Sequence, residues 1–309
     1  MHDYNTIIFD FIQYKRYLGY KYKTDEIVLN QIKKYLLENN VENITREVIE
    51  NFARLNQNLD SNTISRNMNV FRELCKYIHI QKGIECYQIS KKDYPQNHNK
   101  YKAYIFSHIE IKKIYNNINN FPFNIQYSYY KQLAYPLIIK ILYQTGIRIG
   151  ELLQVTVSNH DRNNCFLTLK DTKNNQERKV AINDKLNNEI IILCKKFNLS
   201  KDDLIFNVSY SSIKSFFEKV LRLSDIKIDD DGPRLHDLRH TFVCHNIEKA
   251  IKEKIEIDKF LKILQTQLGH QSLNSLSYYF KITNDILNIV NNLSEQELGY
   301  LIRRFDDHE

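Results

Sequence analysis

The sequence predicts a mainly α-helical protein with one small β-hairpin or sheet, divided into a small helical N-terminal domain and a larger mixed domain. Three observations predict it. Its 309 residues are enough for two domains with separate cores. Only 7 Gly and 4 Pro interrupt the chain, which favours long helices over a turn-rich β fold. Apolar residues recur at helical spacing over most of the sequence, and strand-type alternation is clear in only one stretch.

The first domain is built from four amphipathic helices. Ile7, Phe11, Tyr14 and Leu18 share one face, and Gly19 breaks that run. Thr24, followed by Asp25 and Glu26, reads as the cap of a second helix reaching about Asn39. Thr45 opens a third, with Glu47 and Glu50 near its positive end. Ser61 or Thr63 opens a fourth, whose apolar face carries Ile64, Met68, Phe71, Leu74 and Ile78 and which stops near Gly83. Residues 89–104 lose the periodicity and are polar and basic, so the boundaries fall at residues 1–90, a linker at 91–104 and a second domain at 105–309.

In the second domain Ser107 and Glu110 cap a helix to Asn120, and a strongly apolar helix runs from about Tyr129 to Gln144. A turn at Thr145-Gly146 leads to a short helix near Gly150–Gln154. Residues 165–182, CFLTLKDTKNNQERKVAI, alternate on both sides of a polar turn, which is the hairpin signal. Further helices are expected at about 185–197, 210–223, 236–249, 256–268, 272–280 and 294–304.

Composition narrows the function. The formal net charge of +7 fits a nucleic-acid partner. No apolar run approaches the ~20 residues of a membrane span, and the N-terminus lacks a signal-peptide layout, so a cytoplasmic location without a membrane partner is expected. Cys75, Cys86, Cys165, Cys194 and Cys244 are scattered and form no CxxC pair, which points to neither a disulfide framework nor a zinc site.

The chemistry-bearing residues are gathered in the second domain. Arg148, between Ile147 and Ile149, is costly to bury without an anion; a salt bridge with Glu151 would serve as well as a ligand. In RLHDLRHTF, His236 and Arg239 are three apart and share a helix face. His236-Asp237-x-x-His240 superficially suggests a zinc motif, but Arg239 would crowd a dication and Asp reaches less far than Glu. His240 reads as a packing residue. Leu268-Gly269-His270 places an imidazole at a helix end, and Tyr279 follows nine residues later, with Tyr278 beside it.

Taken in order, TGIRIGEL, the hairpin with Lys173, HDLRHTF, LGH and the tyrosine nine residues on resemble the tyrosine recombinase (phage integrase) family over roughly residues 107–285. The resemblance implies a helical core-binding (SAM-like) domain followed by a tyrosine recombinase catalytic domain, with no arm-binding domain. It implies that Arg148 and Arg239 hold the non-bridging oxygens of the scissile phosphate, that Lys173 protonates the leaving 5′-oxygen, and that His236 is general acid/base on the nucleophile. Lys170 competes with Lys173 for that role but lies inside the strand. His270 would hydrogen-bond the phosphate, and Tyr279 would attack to leave a 3′-phosphotyrosyl enzyme. Adjacent helical positions point about 100° apart, so only one of the two tyrosines can face the site. The spacing chooses Tyr279. Leu276 departs from the small polar residue more usual in the family, which bears on packing.

The implied activity is site-specific strand exchange, as integration, excision or resolution associated with a mobile element, with no cofactor and no metal. The partners would be double-stranded DNA with short inverted-repeat core sites and further copies of the chain: a dimer per site, a tetramer on DNA, and an exchange helix formed by the C-terminal stretch from Ile286 to Ile302. Lys21, Lys23, Arg66 and Arg72 are candidate DNA contacts of the small domain. The alternatives are a type IB topoisomerase-like strand transferase and an architectural DNA-binding protein with a non-catalytic recombinase fold.

Overall fold

A computed structural model describes residues 2–56, 58–94, 103–170, 177–226 and 232–269. The chain divides into two compact units, Met1–Tyr101 and Lys102–Glu309.

The first unit holds helices α1 (Tyr4–Tyr17), α2 (Lys23–Glu38), α3 (Arg46–Leu55) and α4 (Ser61–Lys82). Three of them begin at side-chain caps that satisfy otherwise unpaired amide donors: Asp3 accepts from the Asn5 and Thr6 amides, Thr45 from Val48, and Asp60 from Asn62 and Thr63. Thr24 is not the cap of α2. That helix starts after Tyr22, which sits in the left-handed region at φ 49° with no side-chain cap bond, and Thr24 lies in the first turn. The expected face of α4 is buried at Met68, Phe71, Leu74 and Ile78, with Ile64 packed at its edge. Gly83 closes the helix at φ 64°, a conformation that costs a side-chain-bearing residue ~1–2 kcal/mol.

The stretch expected as linker begins with ordered structure. Lys91–Asp93 form a 3-10 turn with a Ser90–Asp93 capping box. Ile89 and Tyr94 pack into the first unit's core, where the Tyr94 hydroxyl donates to Asn69 Oδ1 at 2.8 Å.

In the second unit come α5 (His108–Asn119), α6 (Tyr129–Thr145), α7 (Ile149–Leu152), β1 (His160–Asp161), β2 (Phe166–Lys170) and β3 (Glu177–Ala181). They are followed by α8 (Asp184–Lys196), α9 (Tyr210–Leu223), α10 (Asp237–Lys252) and α11 (Ile257–Leu268). The hairpin of β2 and β3 is antiparallel with Thr168 opposite Lys179. The two-residue strand β1, too short to show a period in the sequence, adds to β2 and completes a three-stranded sheet in the order β1-β2-β3. Apolar α6 is the spine of the core: Ile138, Ile139, Ile141 and Leu142 are buried, and α8, α9 and α10 pack against it. Each such side chain contributes ~1.5–3 kcal/mol by leaving water. The helices expected at 272–280 and 294–304, and the exchange helix, lie outside the described residues. No helix among the described residues is long and apolar enough to cross a membrane.

Candidate active site

Two helix ends and the start of a third helix create the site. Helix α6 stops at Gly146 (φ 65°) and α11 stops at Gly269 (φ 65°). A helix C-terminus presents carbonyls without intrahelical partners at the negative end of its dipole. Arg239, on the first turn of α10, fills both vacancies. Its Nη1 donates to the Gly146 carbonyl at 2.7 Å and its Nη2 to the Leu268 carbonyl at 2.9 Å. Only 2% of Arg239 is exposed, a burial that a charged group tolerates because these dipoles face it. Two of its five N–H donors therefore fix the plane of the guanidinium.

Gly146 is required by more than its dihedral angle. A Cβ there would lie 2.4 Å from the Phe242 ring of α10. The glycine lets α10 approach closely enough for Arg239 to reach the turn, and two residues later the same turn delivers Arg148.

Arg148 caps the short helix α7. Its backbone N–H donates to Glu151 Oε2 at 3.0 Å and its Nη1 to Glu151 Oε1 at 2.9 Å, so the salt bridge anticipated from the sequence exists. Glu151 also accepts from Arg178 Nη2 of β3 at 2.6 Å, with both of those side chains 10% exposed. Burial alone would raise the Glu151 carboxyl, but the two arginines outweigh it and hold the group below its ordinary value. One carboxylate thus serves two guanidinium groups. The Arg148 side chain remains 43% exposed, in contrast to buried Arg239.

His236 is the residue before α10, three positions from Arg239. Its side chain reaches the surface, yet the protein packed around it pushes the imidazole down to about 4, assisted by the neighbouring charges of His240, Arg239 and Arg148. At neutral pH it is an uncharged imidazole with a lone pair, the form that accepts a proton. His240 meets His236 edge to face at 4.8 Å and is itself pushed down to about 4 by burial, Arg239 and Arg234. It supports the His236 ring.

The structure brings Arg148, His236 and Arg239 together from stretches far apart in sequence. Lys173, His270 and Tyr279 lie outside the described residues. The described chain that follows Lys173 and the described chain that precedes His270 are anchored at the site: Arg178 Nε donates to the Gln267 carbonyl at 3.1 Å, and Gln267 Nε2 to the Thr145 carbonyl at 3.1 Å. Arg178, Glu151 and Gln267 were not recognised as a bracing web from the sequence. The three-residue spacing of Arg148 and Glu151 carried part of that signal; the bonds from Arg178 and Gln267 are long-range and left none.

Of the candidate DNA contacts in the first unit, Lys21 and Lys23 are exposed. Arg66 pairs with Asp25 at 3.2 Å. Arg72 is largely covered, 18% exposed, with Nη1 donating to the Tyr94 hydroxyl at 3.4 Å.

Comparison with known proteins adds to this geometry. The sequence model of the Phage integrase family matches residues 105–285. The tyrosine recombinase XerA of Saccharolobus solfataricus is 32% identical over 153 residues, covering 49% of this chain and 47% of that protein. The chain spans about half the length of the curated relatives that it matches at 24% identity or more. Among solved structures, the XerH site-specific recombinase in a post-cleavage complex with palindromic difH substrate superposes with a TM-score of 0.62 at 22% identity, over 85% of this chain and 76% of that one. A lambda integrase tetramer bound to a Holliday junction superposes with a TM-score of 0.58 at 15% identity, over 87% of this chain and 77% of that one. These likenesses establish the fold: mainly helical, with a small antiparallel sheet.

Proposed function

This chain belongs to the phage integrase family, and from that premise we propose that it is a site-specific DNA recombinase that cuts and rejoins strands through a 3′-phosphotyrosyl intermediate. The observation that carries the proposal is the convergence of Arg148, His236 and Arg239, with Arg239 locked in orientation by two helix-end carbonyls.

The chemistry follows from those groups. A phosphodiester under attack gathers negative charge on its non-bridging oxygens, and guanidinium groups fixed beforehand stabilise that charge without reorganising. The phenol of Tyr279 attacks phosphorus. Its proton passes to the neutral imidazole of His236, and Lys173 gives a proton to the departing 5′-oxygen. One P–O bond forms and one breaks, so the phosphotyrosyl bond keeps the energy needed for rejoining. A 5′-hydroxyl from the exchanging strand then displaces the tyrosine. His270, directly after the Leu268 and Gly269 turn that Arg239 braces, hydrogen-bonds the phosphate.

Membership in a family whose structures include a DNA-bound tetramer and a substrate complex supports double-stranded DNA as the partner and assembly of several copies on it. We assign residues 1–90 to core-site binding, with short inverted repeats as the target and a C-terminal helix exchanged between protomers. A mobile-element role in integration, excision or resolution fits the same chemistry.

The test is a nicked suicide duplex carrying a core site selected from random sequence by binding. Wild type should accumulate a covalent protein–DNA adduct on a denaturing gel, in buffer containing EDTA. Arg148→Lys and Arg239→Lys should each lower its rate by ~10²-fold or more, the usual cost of one oxyanion-stabilising donor. A bound wild-type protein that forms no adduct would reduce the chain to a DNA-binding protein with a recombinase fold.

A further inference from the structure

A second polar cluster lies on α10, nine residues or about 13 Å along the helix from His236. His108, the first residue of α5, stacks on His245 with ring centroids 3.9 Å apart. Glu248, one turn beyond His245, is only 8% exposed. One of its carboxylate oxygens meets His108 Nε2 at 3.1 Å and the other accepts from Lys252 at 2.5 Å. The Tyr143 hydroxyl of α6 hydrogen-bonds His245 Nδ1 at 3.0 Å. These groups border a cleft of about 410 Å³. The roles assigned to Arg148, His236 and Arg239 make no use of any of them.

We propose that His108, His245 and Glu248 form a three-ligand site for a divalent transition-metal ion, with zinc as its natural occupant. Two imidazoles and one carboxylate, with a fourth position left to water, are a recurrent zinc donor set, whereas magnesium or calcium would call for oxygen alone. One donor atom from each residue lies within 4.8 Å of the others. Tetrahedral ligands at zinc distances are about 3.3 Å apart, so closure asks for about 1.5 Å of movement. His108 Nε2 already lies 3.1 Å from Glu248, and the 59% exposed His108 side chain has room to adjust as the site closes.

The surroundings resemble the outer contacts of a metal site. Tyr143 fixes the orientation of the His245 ring through the hydrogen bond between its hydroxyl and Nδ1. Lys252 holds the Glu248 oxygen that does not face His108. The His245 ring also donates to the Phe106 backbone, so metal binding has to displace that hydrogen bond and leave the ring's proton on Nδ1, facing the Tyr143 hydroxyl. Bound there, the ion would tie the start of α5 to α10, the helix whose beginning carries His236 and Arg239. Its role is structural, and strand cleavage does not require it.

The full-length, tag-free protein, stripped with chelator, is titrated with Zn²⁺ by calorimetry and with Co²⁺ by visible absorption. The expected result is one equivalent bound, at least tenfold more weakly in His108→Ala and in Glu248→Gln, and a Zn²⁺-dependent rise in Tm that His108→Ala lacks. His236→Ala should bind as wild type does. His108 is exposed, so its replacement keeps the test readable if a His245 variant fails to fold. Absence of saturable binding, equal affinity in His108→Ala, or loss of binding in His236→Ala instead would overturn the proposal.

Discussion

Replacing Arg239 by lysine should damage the fold and the reaction together, whereas the same change at Arg148 should damage the reaction alone. Arg239 donates one charge-assisted hydrogen bond to each of two helix-end carbonyls while 2% exposed. A hydrogen bond involving a charged group contributes ~1.5–3 kcal/mol, and an ammonium on a flexible stem cannot reproduce the planar fork that bridges both carbonyls. Arg239→Lys should therefore lose about 1.5–3 kcal/mol, and Arg239→Ala, which orphans both carbonyls, ~3–5 kcal/mol. With a urea m-value of ~2 kcal/mol/M, the lysine variant's midpoint should fall by roughly 1 M. Arg148 has a 43% exposed side chain and, among the described residues, one ion pair, with Glu151, so Arg148→Lys should cost at most ~1 kcal/mol. Urea unfolding followed by circular dichroism, run beside adduct formation on the same preparations, separates the two effects. An Arg239→Lys midpoint equal to that of wild type would refute the claim that this guanidinium braces α6 and α11.

The other expectations concern the glycine turn, pH and DNA. Gly146→Ala should destabilise by ~2–5 kcal/mol, because a left-handed residue costs ~1–2 and overpacking ~1–3; Gly83→Ala, left-handed too at φ 64° but facing open space, should lose only the first part in the same urea assay. His236 and His240 lie near 4 in the folded chain against about 6.5 when unfolded, so the unfolded chain binds more protons between those values. Stability should thus be level above pH 6.5 and fall as pH drops from 6.5 toward 4; a pH slope in that window unchanged by the His236→Gln/His240→Gln double variant would contradict the assignment. Lys21→Ala and Lys23→Ala should each lower the slope of log affinity against log salt by ~0.9 in anisotropy titrations with duplex DNA, while an unchanged slope would remove them from the interface.

Local signals carried the helix starts and the hairpin well. Ser107 with Glu110, and Thr45 with the acidic turn after it, announce helices because capping chemistry is confined to neighbouring residues. The 165–182 alternation marked the hairpin for the same reason. Thr24 misled because the backbone, not a side chain, begins α2: Tyr22 adopts the left-handed conformation without a sequence cue. At the site, Arg148, His236 and Arg239 were legible through their resemblance to a family pattern, but the reason Arg239 can be buried was not. Its partners are carbonyls of Gly146 and Leu268, and a carbonyl has no letter in the sequence. Likewise, His108 and Glu248 are separated by 140 positions, and only the packing of α5 near α10 reveals them as neighbours.

The most direct test of the account is to identify the atom that becomes bonded to DNA. The suicide-substrate adduct is digested with protease and nuclease, and the nucleotide-bearing peptide is sequenced by mass spectrometry. The account predicts a 3′-phosphate on Tyr279, an adduct lost in Tyr279→Phe and retained in Tyr278→Phe. Attachment at Tyr278, or through any residue other than a tyrosine, would contradict it.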